Sequence, residues 1–144
     1  GTILILRDKY IGIRGCMELA TKEALKTVKH LILPGNQIAD EGLEALAESP
    51  YLNNLELLNA NHNEIGDDGA IAIANTENLP NLKDLSMFGN VIGDRGAQAL
   101  ADSPQSKKYL KLDLYKNQYT RIGYKALTES ENLKNCEELE VYRE

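Results

Sequence analysis

Residues 31–47, LILPGNQIADEGLEALA, decide the fold because the rest of the chain repeats their pattern. The motif returns as NEIGDDGAIAIA from Asn63, as NVIGDRGAQALA from Asn90 and as NQYTRIGYKALT from Asn117, and these asparagines lie 27 residues apart. Glycines keep the same interval at positions 15, 42, 69, 96 and 123. A period of about 20–50 residues is typical of solenoid proteins, in which neighbouring repeats stack on one another.

Each repeat predicts one short strand and one short helix. The pattern L-x-x-L-x-L precedes the asparagine, and its alternation places leucines on one face of a strand and the intervening residues on the other. After a polar turn, apolar residues follow at i, i+3 and i+4, as in an amphipathic helix. Three aspartates are expected to cap these helices, and two Ser-Pro pairs to end them. The aspartates are Asp40, Asp67 and Asp94, and the pairs begin at Ser49 and Ser103.

This arrangement resembles the leucine-rich repeat proteins, in particular the helix-bearing kind similar to ribonuclease inhibitor and to the bacterial GALA-type repeats. The resemblance covers residues 3–141 and rests on the glycines and asparagines at constant spacing. It implies an α/β solenoid that is curved, with a parallel sheet on its concave face and short helices on its convex face. We expect a single such domain over residues 1–144, with six strands and five helical segments, as part of a longer protein.

The repeat pattern is broken at four positions. Lys9 takes the place of a first asparagine, and Glu144 takes that of a sixth. Ser106 replaces a leucine that four other repeats supply, so residues 105–108 are expected to be a polar weak point. Thr120 replaces the glycine of the two preceding turns, which predicts a looser fifth turn. The repeated glycines are expected to allow positive φ angles or a close approach of strand and helix.

The composition and net charge of the chain indicate which classes of partner are not expected. The net charge is −6 with a pI near 5.0, and the lysines are scattered rather than clustered. Nucleic acids and anionic membranes need a concentrated basic surface, so we expect neither as a partner. Cys16 falls in the first helix and Cys136 is expected to open the sixth strand, which is too far for a disulfide. Two unpaired thiols suit the cytoplasm or, for a bacterial effector, the host cytosol.

The sequence offers no catalytic motif, metal site or cofactor site, and we expect a protein that is not an enzyme. The two histidines, His30 and His62, fall in different registers, whereas a zinc site needs three or four convergent ligands. The asparagines are expected to be structural, since an amide at a tight bend can bond backbone groups that no strand reaches. This asparagine ladder comprises Asn36, Asn63, Asn90 and Asn117.

Outward-facing residues 27 apart should become lateral neighbours and form the surface that a partner meets. Three rows follow from this register. The first row consists of Arg7, Pro34, Asn61, Phe88, Tyr115 and Tyr142, and the second of Ile5, Ile32, Asn59, Ser86, Asp113 and Glu140. The third row consists of Ile3, His30, Leu57, Asp84, Lys111 and Glu138. The first row ends in three aromatic residues, which either anchor a partner or stack on one another to shield the sheet. The other two rows change from apolar at the N-terminal end to mostly acidic at the C-terminal end.

These rows predict a non-catalytic module that binds a protein, possibly a basic one, on its concave face. The predicted contact residues are Phe88, Tyr115, Tyr142, Pro34, Ile32, Leu57, Lys111, Asp113 and Glu140. Such a module serves as an adaptor, an inhibitor or a bacterial effector. The alternatives are a structural segment of a longer solenoid and a GTPase-activating regulator, for which Arg7 and Arg143 are the available arginines.

The two ends of the chain carry different charge. Residues 2–6, TILIL, predict a first strand that is apolar on both faces, whereas residues 137–143 predict a charged final strand. Charges protect a strand edge from further pairing. We therefore expect the N-terminal end to continue into further repeats or to pair with a second copy as a two-fold homodimer, and the C-terminal end to approximate a natural terminus.

Overall fold

The 27-residue repeats each form a strand and a helix in the computed structural model, which describes residues 2–142. The strands are β1 Ile3–Ile5, β2 His30–Ile32, β3 Leu57–Asn59, β4 Asp84–Ser86, β5 Lys111–Asp113 and β6 Glu138–Glu140. The helices are α1 Gly12–Leu19, α2 Ala39–Glu48, α3 Asp67–Asn75, α4 Asp94–Asp102 and α5 Arg121–Thr128. Short 3₁₀ helices at Glu23–Thr27, Pro104–Lys108 and Glu131–Leu133 lead back to the next strand.

The six strands form one parallel sheet in chain order, β1 to β6. Each strand pairs with the next at a shift of one repeat, so that Leu31 lies beside Leu4 on one side and Leu58 on the other. The predicted α/β leucine-rich repeat solenoid is therefore confirmed. The strands are shorter than predicted, at three residues each, and Cys136 was wrongly expected to open the last one: it lies two residues before β6. Arg143 and Glu144 lie outside the described residues.

The core lies between the sheet and the layer of helices. The middle residue of each strand from β2 to β5 is a fully buried leucine, and it faces buried apolar residues of the helices. Burying a leucine side chain contributes about 1.5–3 kcal/mol, so a continuous row of them holds the repeats together. The first and third residues of each strand point away from this core. We call their surface, together with the row two residues further on, the strand-side face.

The asparagine ladder connects consecutive turns from the inside. The Nδ2 atom of Asn63 donates to the carbonyl of Leu33 at 2.9 Å, and its Oδ1 atom accepts from the backbone N–H of Asn36 at 2.8 Å. Asn90 accepts in the same way from the backbone N–H of Asn63, at 2.8 Å. Asn36, Asn63 and Asn90 are at most 5% exposed, whereas Asn117 is half-buried. Each amide thus satisfies buried backbone groups that would otherwise lack a partner.

The aspartates cap the helix of the following repeat and not their own, so the sequence-based prediction was wrong. Asp67 is the first residue of α3, and its Oδ1 atom accepts from the N–H groups of Gly93 and Gly96, at 2.7 and 2.9 Å, at the start of α4. Asp40 and Asp94 make the equivalent bonds to α3 and α5. The free N–H groups of a first helical turn are thus satisfied across the repeat boundary.

The repeated glycines let neighbouring helices approach each other. A Cβ atom on Gly96 would lie 2.9 Å from the carboxylate of Asp67 and 3.0 Å from the Cβ atom of Ala70, both on α3. The expected close approach is therefore between two helices and not between strand and helix. Gly96 has no positive φ angle, so the close contact and not backbone freedom requires a glycine there.

A second ladder, of hydroxyl groups, follows the helices. Each hydroxyl donates to an alanine carbonyl of the preceding repeat, as Ser49 Oγ does to the carbonyl of Ala20 at 2.7 Å. The donors are Ser49, Thr76, Ser103 and Ser130, again 27 residues apart. Ser49 and Ser103 also follow directly on α2 and α4, which end where the Ser-Pro pairs predict.

Two of the breaks in the pattern have partners of their own. Ser106 is 1% exposed and donates its hydroxyl to the carbonyl of Leu100 at 2.6 Å. Thr120 caps α5 by accepting from the N–H of Ile122 at 3.2 Å, and its hydroxyl donates to Asp94 Oδ2 at 2.7 Å. The fifth turn is thus bonded both within its helix and to the preceding repeat, in contrast to the expected looser turn.

Candidate protein-interaction surface

The strand-side face carries the three predicted rows in the predicted register. The pairing sets Asp84, Lys111 and Glu138 side by side, and Ser86, Asp113 and Glu140 likewise. Backbone bonds continue beyond the strands, where the N–H of Gly89 donates to the carbonyl of Tyr115 at 3.0 Å and the N–H of His62 to that of Phe88 at 3.0 Å. The row that ends in the three aromatic residues is therefore also laterally aligned.

Phe88, Tyr115 and Tyr142 form an aromatic row along the C-terminal half of this face. The ring centroids of Phe88 and Tyr115 are 6.3 Å apart, and those of Tyr115 and Tyr142 are 5.2 Å apart. Tyr115 is 38% exposed and Tyr142 is 45% exposed. The rings thus contact one another, and much of their surface remains open to a partner. Both interpretations of this row, stacking and recognition, are compatible with that geometry.

His62 extends the aromatic row, which the sequence did not predict. Its ring meets that of Phe88 edge-on at 5.3 Å and covers Gly89, where a Cβ atom would overlap it. His62 follows Asn61 in the chain and so belongs to the next register. Its backbone has a φ of 54°, in the left-handed region, which the alternation of a strand does not anticipate.

A side chain holds the backbone N–H of each residue in the aromatic row. Asn61 Oδ1 accepts from the N–H of Phe88 at 2.8 Å, and Asp113 Oδ1 accepts from that of Tyr115 at 3.0 Å. The hydroxyl of Tyr119 accepts from the N–H of Tyr142 at 2.7 Å. The rings therefore project from a backbone that is fixed by hydrogen bonds.

At the C-terminal end of the ladder, Tyr119 makes the hydrogen bond that an asparagine makes in the earlier repeats. Its hydroxyl donates to the carbonyl of Leu114 at 3.1 Å. The equivalent carbonyls of the earlier repeats accept from ladder asparagines, namely Leu33 from Asn63, Ala60 from Asn90 and Met87 from Asn117. Tyr119 is 7% exposed, and this burial raises the pKa of its hydroxyl, which remains a donor at neutral pH. The sequence hints at this role, because Tyr119 stands where four other repeats have isoleucine.

Charges beside the aromatic row are only partly compensated. Lys111 Nζ lies 3.5 Å from Glu138 Oε2. The negative charge of Glu138, and to a smaller extent that of Asp84, raises the pKa of Lys111. Burial raises the pKa of Asp84, and Lys111 opposes this shift. Asp113 and Glu140, in contrast, have no ion pair within residues 2–142. The row next to the aromatic rings therefore carries two carboxylates without an ion pair among the described residues, of which Asp113 adds to the raised pKa of Lys111.

The apolar contact residues form a separate patch. Ile32 and Leu57 are half-buried on β2 and β3, near the exposed Ile3 and Ile5 of β1. Pro34 is half-buried, and Asn61 stands between it and Phe88 in their row. The structure thus divides the predicted contact residues into two patches, of which one is apolar and the other is aromatic and acidic.

The remaining features concern metal ligands, membrane-spanning helices and the two thiols. No three histidine, cysteine or carboxylate side chains gather there as metal ligands, and no helix is long and apolar enough to span a membrane. Both thiols are unpaired. Cys16 is fully buried, donates to the carbonyl of Gly42 at 3.4 Å, and has a pKa that burial raises to about 12. Cys136 is half-buried, and burial raises its pKa as well.

The family follows from a comparison with known proteins. A family model described as leucine rich repeat matches residues 24–47, 51–74 and 78–101, which together make up half of the chain. The chain belongs to the leucine-rich repeat family. Among solved structures this leucine-rich repeat chain is similar to leiomodin-1 actin-binding site 2, with a TM-score of 0.65 and 19% identity over 90% of this chain and 80% of that chain. No curated protein matches.

Proposed function

We propose that this leucine-rich repeat chain is a non-catalytic module that binds a protein partner through its strand-side face, which is the predicted concave face. The supporting observation is the aromatic row. Tyr115 and Tyr142 expose more than a third of their surface on a backbone held by Asp113 and Tyr119. Rigid exposed aromatic side chains are common anchors of protein interfaces, because they bury much area at little cost in conformational entropy.

An adaptor, an inhibitor or a bacterial effector would each use such a face. Two unpaired thiols suit a reducing compartment, and we propose that the chain acts in the cytoplasm or, for an effector, in the host cytosol. The closer relation to ribonuclease-inhibitor-like or GALA-like repeats stays a prediction. Actin is a reasonable first partner to assay, because a protein with a similar fold is described as an actin-binding site.

The test compares Phe88→Ala and Tyr115→Ala with Ile122→Ala, which removes an apolar side chain that is 69% exposed on α5. Monomeric actin and partners captured by site-specific cross-linking from Tyr115 would be titrated against all three by calorimetry. We expect both aromatic variants to lose affinity and the control to keep it. Equal binding by all variants, each with unchanged melting, would contradict the proposed use of this face.

The first strand supports a second proposal, that the chain forms a homodimer or continues a longer solenoid through its N-terminal edge. β1 pairs with β2 alone among the described strands, and Ile3 and Ile5 are 56% and 52% exposed. An apolar strand edge of this kind invites further pairing. Light scattering over a dilution series should show a dimer that Ile5→Lys abolishes. A strict monomer at high concentration would contradict the dimer.

A further inference from the structure

Four side chains at the C-terminal end of the strand-side face form a two-by-two arrangement. Asp113 precedes Tyr115 by two residues, and Glu140 precedes Tyr142 by two residues on the next strand in register. Parallel strands lie about 4.8 Å apart, so the two carboxylates are lateral neighbours beside two neighbouring phenol rings. A cleft of about 280 Å³ borders these rings and is lined by Tyr115, Lys116, Asn117 and Tyr142.

Two carboxylates in this register repel each other, and a cation bound beside them would relieve that repulsion. Carboxylates on directly opposed positions of neighbouring strands destabilise a sheet. The adjacent row relieves its own repulsion, because Lys111 lies between Asp84 and Glu138 and pairs with the latter. Asp113 and Glu140 have no such cation within residues 2–142. Among the described residues of these two rows, the carboxylates without an ion pair are thus Asp84 and the two that border the rings.

We propose that Asp113, Tyr115, Glu140 and Tyr142 form a socket for an arginine side chain of the protein partner, an inference that rests on the proposed interaction function. A guanidinium group is planar, so it can lie on a phenol ring and donate two parallel hydrogen bonds to a carboxylate. An ammonium group is a compact, strongly hydrated charge and makes only the second kind of contact. The combination of rings and carboxylates therefore favours arginine over lysine.

Lys116 follows Tyr115 in the chain and carries a positive charge beside the rings of the socket. Its exposed side chain lines the cleft next to Tyr115 and Tyr142, so it would repel a guanidinium group that lies on these rings. Replacing it with a neutral residue of similar length should therefore tighten the binding of an arginine side chain. An apolar or acidic occupant would show no such gain.

The probe is a peptide of alternating arginine and glycine, with lysine and citrulline counterparts, titrated into the isotopically labelled chain and followed by NMR. We expect the arginine peptide to shift the amide signals of the four socket residues, the lysine peptide to bind more weakly and the citrulline peptide not to bind. Asp113→Asn with Glu140→Gln should weaken the arginine peptide about tenfold, and Lys116→Gln should strengthen it. Melting curves would show that these nearly isosteric changes, at the half-buried Asp113 and at the exposed Glu140 and Lys116, leave the fold intact.

The matched control is Glu41→Gln with Glu48→Gln, which removes two exposed carboxylates from α2 and gives the same net charge. This control should bind the arginine peptide like the unchanged chain. Three results would overturn the proposal. They are an equal loss of affinity for the arginine peptide in the two double variants, equal affinity for the lysine and arginine peptides, and NMR shifts at amides outside the socket. If Tyr115→Ala abolishes binding of a protein partner and Asp113→Asn with Glu140→Gln does not, the socket is wrong and the interaction surface stands. If neither change affects that partner, the proposed function itself is wrong.

Discussion

The asparagine ladder and the aromatic row lie two residues apart in each repeat and differ in almost every physical respect. Asn63 is fully buried, and its side chain bonds backbone groups of the preceding repeat and of its own. Tyr115 is 38% exposed, and its ring contacts only other members of its row among the aromatic rings. The ladder keeps one residue type through four repeats, whereas the row changes from proline to asparagine to aromatic residues.

The asparagine ladder stabilises the solenoid, whereas the aromatic row gives one part of its surface a distinct chemistry. A buried amide that satisfies backbone groups has few substitutes, because the lost hydrogen bonds leave desolvated partners behind. An outward side chain has no such constraint, so its row can change along the solenoid. A row of outward side chains that varies from repeat to repeat is therefore a candidate surface for binding a partner.

The largest effect is expected from Asn63→Ala. The change removes the hydrogen bonds of Asn63 to the carbonyl of Leu33 and the N–H of Asn36, and should lower the free energy of unfolding by about 1–3 kcal/mol. Urea denaturation would measure this, with Asn117→Ala as a comparison that should cost less because Asn117 is half-buried. An Asn63→Ala protein as stable as the unchanged chain would show that these bonds do not support the fold.

A smaller loss, of about 1 kcal/mol, is expected when Asp67→Ala removes the cap that α3 provides for α4. The neighbouring Asp68 is the control, because its side chain is 66% exposed and its ion pair, at 3.7 Å, is with Arg95, which is 71% exposed. Asp68→Ala should change the free energy of unfolding by less than about 0.5 kcal/mol. Equal effects of the two changes would argue against capping across the repeat boundary.

The smallest difference concerns the thiols, where no substitution is needed. Burial raises the pKa of Cys16 to about 12, so little reactive thiolate forms at pH 8 while the chain is folded. Cys136 is only half-buried and should be modified first by a maleimide reagent. Mass spectrometry of the native protein would locate the label, and unfolding should make both thiols reactive. Faster modification of Cys16 would contradict its burial.

The sequence predicts the register well because one period sets every strand beside the next. It predicts capping poorly, since the pattern places Asp67 at the start of its own helix while the offset between stacked helices brings its carboxylate to the next. Periodicity also does not reveal when a different side chain makes an equivalent hydrogen bond. The carbonyl of Leu114 accepts from the Tyr119 hydroxyl, whereas the equivalent carbonyls of earlier repeats accept from an asparagine amide. The pairing of Lys111 with Glu138, and not with Asp113, depends on side-chain conformation, which a one-dimensional pattern does not contain.

The central claim is that the aromatic row serves recognition and not folding, and Tyr115→Ala tests it most directly. One sample should be measured twice, by thermal melting and by calorimetric titration with a partner identified through cross-linking from this position. We predict a melting temperature close to that of the unchanged chain and a loss of about 2 kcal/mol or more in binding free energy, the range of an interface hot spot. A large loss of stability with full affinity per folded molecule would contradict the account and would assign Tyr115 to the fold.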